Sequence, residues 1–105
     1  MQRSLNYASE KLCDAVRALA MLNGDIRERL YYAYAPSLLS LSVVADQISD
    51  ARLAKELGQI IFELKAKGTP SNHFADMTDE DAHDLAQKIV YLFKDVQTEY
   101  AREQK

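Results

Sequence analysis

Only five residues of this 105-residue chain are strong breakers of regular structure: Gly24, Gly58, Gly68, Pro36 and Pro70. An all-β fold needs many tight turns, and hence many such residues. With so few, the chain is left with long uninterrupted segments, and these carry apolar residues at helical spacing. Leu5, Ala8, Leu12, Ala15, Val16 and Leu19 recur at intervals that place them on one stripe of a helix. The pattern predicts a first helix from about Ser4 to Leu22, with Ser4 as N-cap. Asn23-Gly24 supplies the stop, since glycine enters the left-handed terminal conformation without a Cβ penalty.

A second helix opens at Asp25, where Glu28 three residues on completes a capping-box pattern. Its inner stripe is Ile26, Leu30, Ala33, Tyr34 and Leu41. Pro36 predicts a kink or break, because proline lacks a backbone donor and clashes with the preceding turn. Residues 38–44 could continue the helix, against competition for backbone hydrogen bonds from Ser37, Ser40 and Ser42.

The third helix is expected from about Ser49 to Lys67, its face formed by Leu53, Leu57, Ile60, Ile61 and Leu64. Glu63 and Lys67 form an i,i+4 pair worth about 0.2–0.5 kcal/mol. Gly68-Thr69-Pro70 ends the helix and residues 68–77 form a loop. Thr78 with Asp81 starts a fourth helix, with Met77 placed to staple onto Ala82. Ala82, Leu85, Ala86, Ile89, Phe93, Val96 and Tyr100 line its inner face, and the end from Arg102 to Lys105 is expected to fray. Four such stripes predict an all-α, four-helix bundle-like single domain over residues 1–105.

Charge narrows the function classes. The net charge is −3, which offers no basic footprint for nucleic acid. Residues 1–67 carry nine basic and eight acidic groups, and residues 68–105 four and eight, so the excess of acid lies in the last third. A helix-turn-helix drawn over Asp25–Lys67 would start its second helix with Asp46 and Asp50 against Arg52 alone, the wrong charge for base reading. No apolar stretch reaches the roughly 20 residues that span a bilayer, so no membrane partner is expected. No basic segment followed by an apolar run opens the chain, so no signal peptide is expected. The single Cys13 fits a reducing compartment, and a cytoplasmic location follows.

Catalytic patterns are missing. There is no glycine-rich phosphate loop and no nucleophile elbow. The histidines, His73 and His83, lack the upstream arginine of small helical ribonucleases. Asp79 and His83 stand at i,i+4 and could share a metal, with Asp76 and Glu80 nearby. Acids from Asp76 to Asp84 are also what the positive end of a helix dipole attracts, and that plainer account is preferred. Cys13 reads as a half-buried small apolar group. Neither enzyme activity nor a cofactor is expected.

Some large apolar residues do not fit the inner stripes. Tyr31, Tyr32, Ala35 and Leu39 lie roughly opposite Leu30, and Phe62 nearly opposite Leu53, at about 100° per residue. Tyr91 points away from the fourth stripe. Either the central helices bury two faces within one subunit, or Tyr31, Tyr32, Leu39 and Phe62 form a patch for another chain, where such rings are enriched.

The first third also resembles a loose group of small helical proteins from bacterial genomes and prophages. The residues that carry the likeness are Ala8, Glu10-Lys11-Leu12, Ala15-Val16, Leu19-Ala20 and Gly24-Asp25-Ile26-Arg27-Glu28-Arg29-Leu30. Met77, Asp81-Ala82, Ala86, Lys88-Ile89 and Leu92 resemble the group's closing helix, while Pro36 to Ala66 matches poorly. The resemblance implies a bacterial or phage origin and an intracellular address, and brings no activity with it. Arg27 and Arg29 recur in the pattern without being needed for the core, which makes them candidates for a contact role. The sequence therefore points to a non-enzymatic helical interaction module that binds a protein partner, a second copy of itself included. The alternatives are a phage-encoded inhibitor of a host defence complex and, less favoured, a small metal-dependent hydrolase.

Overall fold

A computed structural model of the chain describes residues 2–21, 23–38, 41 and 50–103. Leu39, the expected continuation over residues 42–44 and the expected helix start at Ser49 lie outside the described residues. Four helices account for most of the remainder, and no strand occurs among the described residues. The domain is an all-α, four-helix bundle-like fold.

Helix α1 spans Gln2–Met21, so it begins two residues before Ser4, which sits inside its first turn rather than capping it. Gly24, at φ +109, turns the chain in a conformation that a Cβ would strain. Helix α2 covers Ile26–Ala33. Asp25 caps it by accepting hydrogen bonds from the backbone N–H groups of Arg27 and Glu28, at 3.0 and 3.1 Å. The Glu28 carboxylate does not fold back to complete a capping box; it reaches across to His73 instead.

Regular α-helix gives out after Ala33, just ahead of Pro36, where the sequence predicts a kink or break. The chain widens into a π turn over Tyr34–Leu38. Proline offers no N–H to a regular α ladder, and a widened turn is a common way for a helix to absorb that loss.

Helix α3 spans Ala51–Lys67, capped by Asp50 through the N–H groups of Arg52 and Leu53. Helix α4 runs Asp79–Glu103, started by Thr78, whose hydroxyl accepts from the Asp81 N–H at 3.1 Å. α1 packs chiefly on α4 and α2, and α3 packs on α4. The shared core holds Leu12, Leu30, Leu53, Leu57, Leu85 and Ile89, each 1% exposed or less. At about 25 cal/mol per Å² of apolar surface, each such side chain contributes about 1.5–3 kcal/mol.

Polar side chains tie the helices together at the edges. Gln97 donates to the buried Ser9 hydroxyl at 2.9 Å, linking α4 to α1. Arg52 reaches both Glu56 and Asp95, and the latter carboxylate holds its pKa above the usual arginine range. Glu63 does not pair with Lys67 along α3. It pairs with Lys88 of α4 at 2.9 Å, while Lys67 pairs with Asp81 at 3.6 Å. The charges that looked like one intrahelical pair are therefore two bridges between α3 and α4.

Candidate functional site

The expected loop between α3 and α4 runs from Gly68 to Thr78 and carries more internal order than its sequence announces. Pro70–Asn72 form a short 3₁₀ turn, and His73 and Phe74 then both take left-handed backbone, at φ 51 and 57. Two consecutive non-glycine residues in that region cost about 1–3 kcal/mol each and must be held by their surroundings. The hold is visible. Phe74 is fully buried, with its ring edge-on to Tyr31 at 5.8 Å and to Tyr34 at 5.5 Å. Gly68 makes room for it, since a Cβ there would come within 2.7 Å of the Phe74 ring and 2.8 Å of the Met77 methyl. Asp76 closes the loop by accepting from the Thr69 N–H at 3.0 Å and the Thr69 hydroxyl at 2.7 Å. Those two bonds, the hydroxyl's foremost, hold its carboxyl below the usual aspartate range.

Driving Phe74 inward lays His73 over the outer face of α2. Arg27, Glu28, Tyr31 and Tyr32 neighbour one another on that face through i,i+3 and i,i+4 spacing. The His73 imidazole stacks on Tyr31, with ring centres 4.0 Å apart. Its Nδ1 lies 3.3 Å from Glu28 Oε2. Tyr32 stands edge-on to both rings, 5.4 Å from Tyr31 and 5.8 Å from His73, and remains 42% exposed. Beside this cluster opens a cleft of about 450 Å³, lined by Asp25, Arg27, Glu28, Ser71, His73 and Ala75 among others.

Arg27 fixes the cleft's far wall. Its guanidinium donates to the carbonyls of Met77 at 3.2 Å and Ala75 at 3.5 Å, and pairs with Asp25 and Asp79. The Glu28 N–H, more than Arg27 itself, holds the Asp25 carboxyl below its ordinary value. Beneath the cluster, burial pushes the Tyr34 phenol up. Arg29 faces another way. Its Nη1 donates to the Leu19 carbonyl at 2.7 Å, pinning the end of α1, and its Nε is buried without a partner.

Of the residues singled out from sequence, Arg27 lines the cleft, while Tyr31 and Tyr32 pack against His73 at its edge and Tyr32 also faces a separate groove with Lys11, Asp14 and Arg17. Arg29 braces α1, and Leu39 lies outside the described residues. Phe62 projects from the outer side of α3, 70% exposed, with no hydrogen bond or ring contact to the tyrosines among the described residues. Sequence reasoning missed His73 and Phe74. The one available signal was a large apolar ring in an otherwise polar loop, which has to be buried somewhere.

No family model, curated protein or solved structure matches the chain.

Asp79 pairs with Arg27 rather than closing on His83, and no group of three or more metal-binding side chains occurs among the described residues. No helix among the described residues is long and apolar enough to cross a membrane.

Proposed function

We propose that this chain is a non-enzymatic helical interaction module of the cytoplasm, which binds a protein partner and associates with itself through the Tyr31–Tyr32–His73 face. The observation that carries the reading is a solvent-facing aromatic cluster packed ring against ring. Tyr32 is 42% exposed, yet it is flanked by rings that the left-handed turn keeps in place. Tyrosine supplies large contact area at low entropic cost, and it is enriched where binding energy concentrates. A surface already fixed in one geometry loses less conformational freedom on docking.

Self-association is read from molar mass by light scattering across a concentration series, in chelator. The wild-type chain is expected to exceed its 11.9 kDa monomer mass as concentration rises. Tyr32→Glu is expected to stay monomeric with unchanged helical circular dichroism. Phe62→Ser tests the separate exposed ring in the same assay. A wild-type chain that remains monomeric throughout removes the self-association reading.

A further inference from the structure

We propose that the trough between α1 and α4 seats an amphipathic helix of another protein, one that brings a carboxylate to the end of its apolar face. The seat deepens the reading of the chain as an interaction module, and it lies apart from the Tyr31–Tyr32–His73 face.

Val16 and Ala20 of α1 and Ala86, Val90 and Tyr91 of α4 line a trough of about 600 Å³ whose walls are mostly apolar. Arg29 and His83 line it as well, at the end where α1 finishes and α4 begins. The trough is open to solvent rather than enclosed. A pocket for a small molecule normally wraps about 70–90% of its ligand, which an open trough does not do. A helix brings its own apolar face as the missing wall. The length also fits. His83 and Tyr91 stand about 12 Å apart along α4, and helical anchors at i, i+4 and i+7 span about 10.5 Å.

The apolar surface here is left over after the core is filled. Leu85, Ile89 and Leu92 of α4 are buried, whereas Val90 and Tyr91 remain 41% and 58% exposed. Exposed apolar surface gathered beside a concavity is what a docked helix covers.

Charge selects the occupant. The chain carries a net charge of −3, and acids crowd the start of α4, yet no carboxylate lines this trough. Glu80 and Asp84 flank His83 along the helix without lining it. The cleft between α3 and α4, the cleft beside His73 and the groove at Tyr32 each include at least one acid. Arg29 is the fixed cation of the trough, because the Leu19 carbonyl holds its Nη1 at 2.7 Å. A positioned guanidinium beside an apolar wall favours a carboxylate and repels an ammonium. That counts against a second copy docking through Phe62, its most exposed ring. Lys55 and Lys65 lie within about 60° of Phe62 on α3 and would arrive with it.

The test uses the whole chain and two fluorescent, alanine-based helical peptides with leucines at i, i+4 and i+7. One carries glutamate a turn before the first leucine and a turn after the last, and the other carries lysine at both places. Fluorescence anisotropy is expected to show binding of the glutamate peptide, and binding of the lysine peptide weaker by about tenfold or more. Val90→Glu, at an exposed position, should abolish binding of the glutamate peptide with helical circular dichroism unchanged. Arg29→Gln should erase the preference for glutamate over lysine. Should that variant fail to fold, the two peptides compared on the wild-type chain still read the charge. Tyr32→Glu should bind the glutamate peptide as wild type does, so this seat and the self-association face fail separately. No binding of the glutamate peptide at about 1 mM, equal binding of the two peptides by the wild-type chain, or unchanged binding in Val90→Glu overturns the proposal. A rise in molar mass of the chain alone that Val90→Glu removes would give the trough to a second copy, and overturns it as well.

Discussion

The imidazole of His73 lies flat against the ring of Tyr31, tilted by only 9°. That stack joins a loop to the outer face of a helix whose inner face is already committed to the core through Ile26, Leu30 and Ala33. Helix α2 is consequently covered on two sides, and the second cover is a single turn with left-handed backbone. Phe74 is the residue that makes this possible, because its burial offsets the cost of the turn.

Phe74→Ala should therefore be among the most damaging single changes in the chain. It removes a fully buried ring and leaves the left-handed backbone unsupported. A loss of about 3–5 kcal/mol is expected from the ring alone. Urea denaturation followed by circular dichroism measures it, and a loss under about 1 kcal/mol would show that Phe74 is not what holds the loop.

Gly68→Ala tests the other side of the same contact. The added methyl group meets a rigid ring at 2.7 Å as well as the flexible end of Met77. Overpacking of this kind costs about 1–3 kcal/mol. Gly58, whose added Cβ meets nothing within 4 Å, is the matched control. It lies in the interior of α3, so Gly58→Ala should stabilise the protein, by about 0.5–1 kcal/mol.

The helices themselves were legible because their signals are local. The Asp25 and Thr78 caps, the glycine turn at Gly24 and the stripes of α1, α3 and α4 are set by residues a turn apart. The Glu63–Lys67 pair failed for the opposite reason. Each residue also has a partner on α4, and a list of spacings within one helix has no access to that. The candidate site was legible only in part on the same grounds. The outward position of Tyr31 and Tyr32 follows from helical phase, whereas the loop that closes over Tyr31 depends on where Phe74 finds a cavity.

The two bridges between α3 and α4 give a direct measurement. A double-mutant cycle on Glu63 and Lys88 should return about 0.2–1 kcal/mol of coupling, the range for exposed ion pairs. The same cycle on Glu63 and Lys67 should return nothing above error. Glu63 beside Lys88 also holds that ammonium above the usual lysine range, so the first coupling should shrink in high salt. A coupling confined to Glu63 and Lys67 would restore the intrahelical pair.

Arg27 and Arg29 both hold backbone carbonyls, from Met77 and Leu19 respectively. Hydrogen bonds from charged donors are worth about 1.5–3 kcal/mol. Arg27→Ala and Arg29→Ala should each destabilise the fold on that scale. Arg27→Ala should also speed amide exchange over residues 75–79, a region Arg29→Ala leaves alone. Two stable variants with unchanged exchange would mean that the arginines are free for a partner and that these bonds are incidental.

Acid should unlock the loop before it melts the helices. Asp76 accepts two hydrogen bonds from Thr69, and these hold its folded carboxyl below the value of about 3.9 it takes in an unfolded chain. A carboxyl with a depressed folded pKa contributes stability that is complete above its unfolded value and disappears as pH falls through the folded one. Asp25 is shifted in the same direction by the N–H groups it caps, so α2 and the loop lose support in the same window, from about pH 4 downward. Asp76→Asn keeps an acceptor for Thr69 without a titrating group. It should be less stable than wild type at neutral pH and flatter in its pH profile below about pH 4. The stacked His73 ring reports the loop directly, because its proton shifts depend on the Tyr31 ring current. Those shifts should move toward random-coil values in acid before far-ultraviolet circular dichroism falls, and simultaneous loss of both would show that loop and bundle unfold as one.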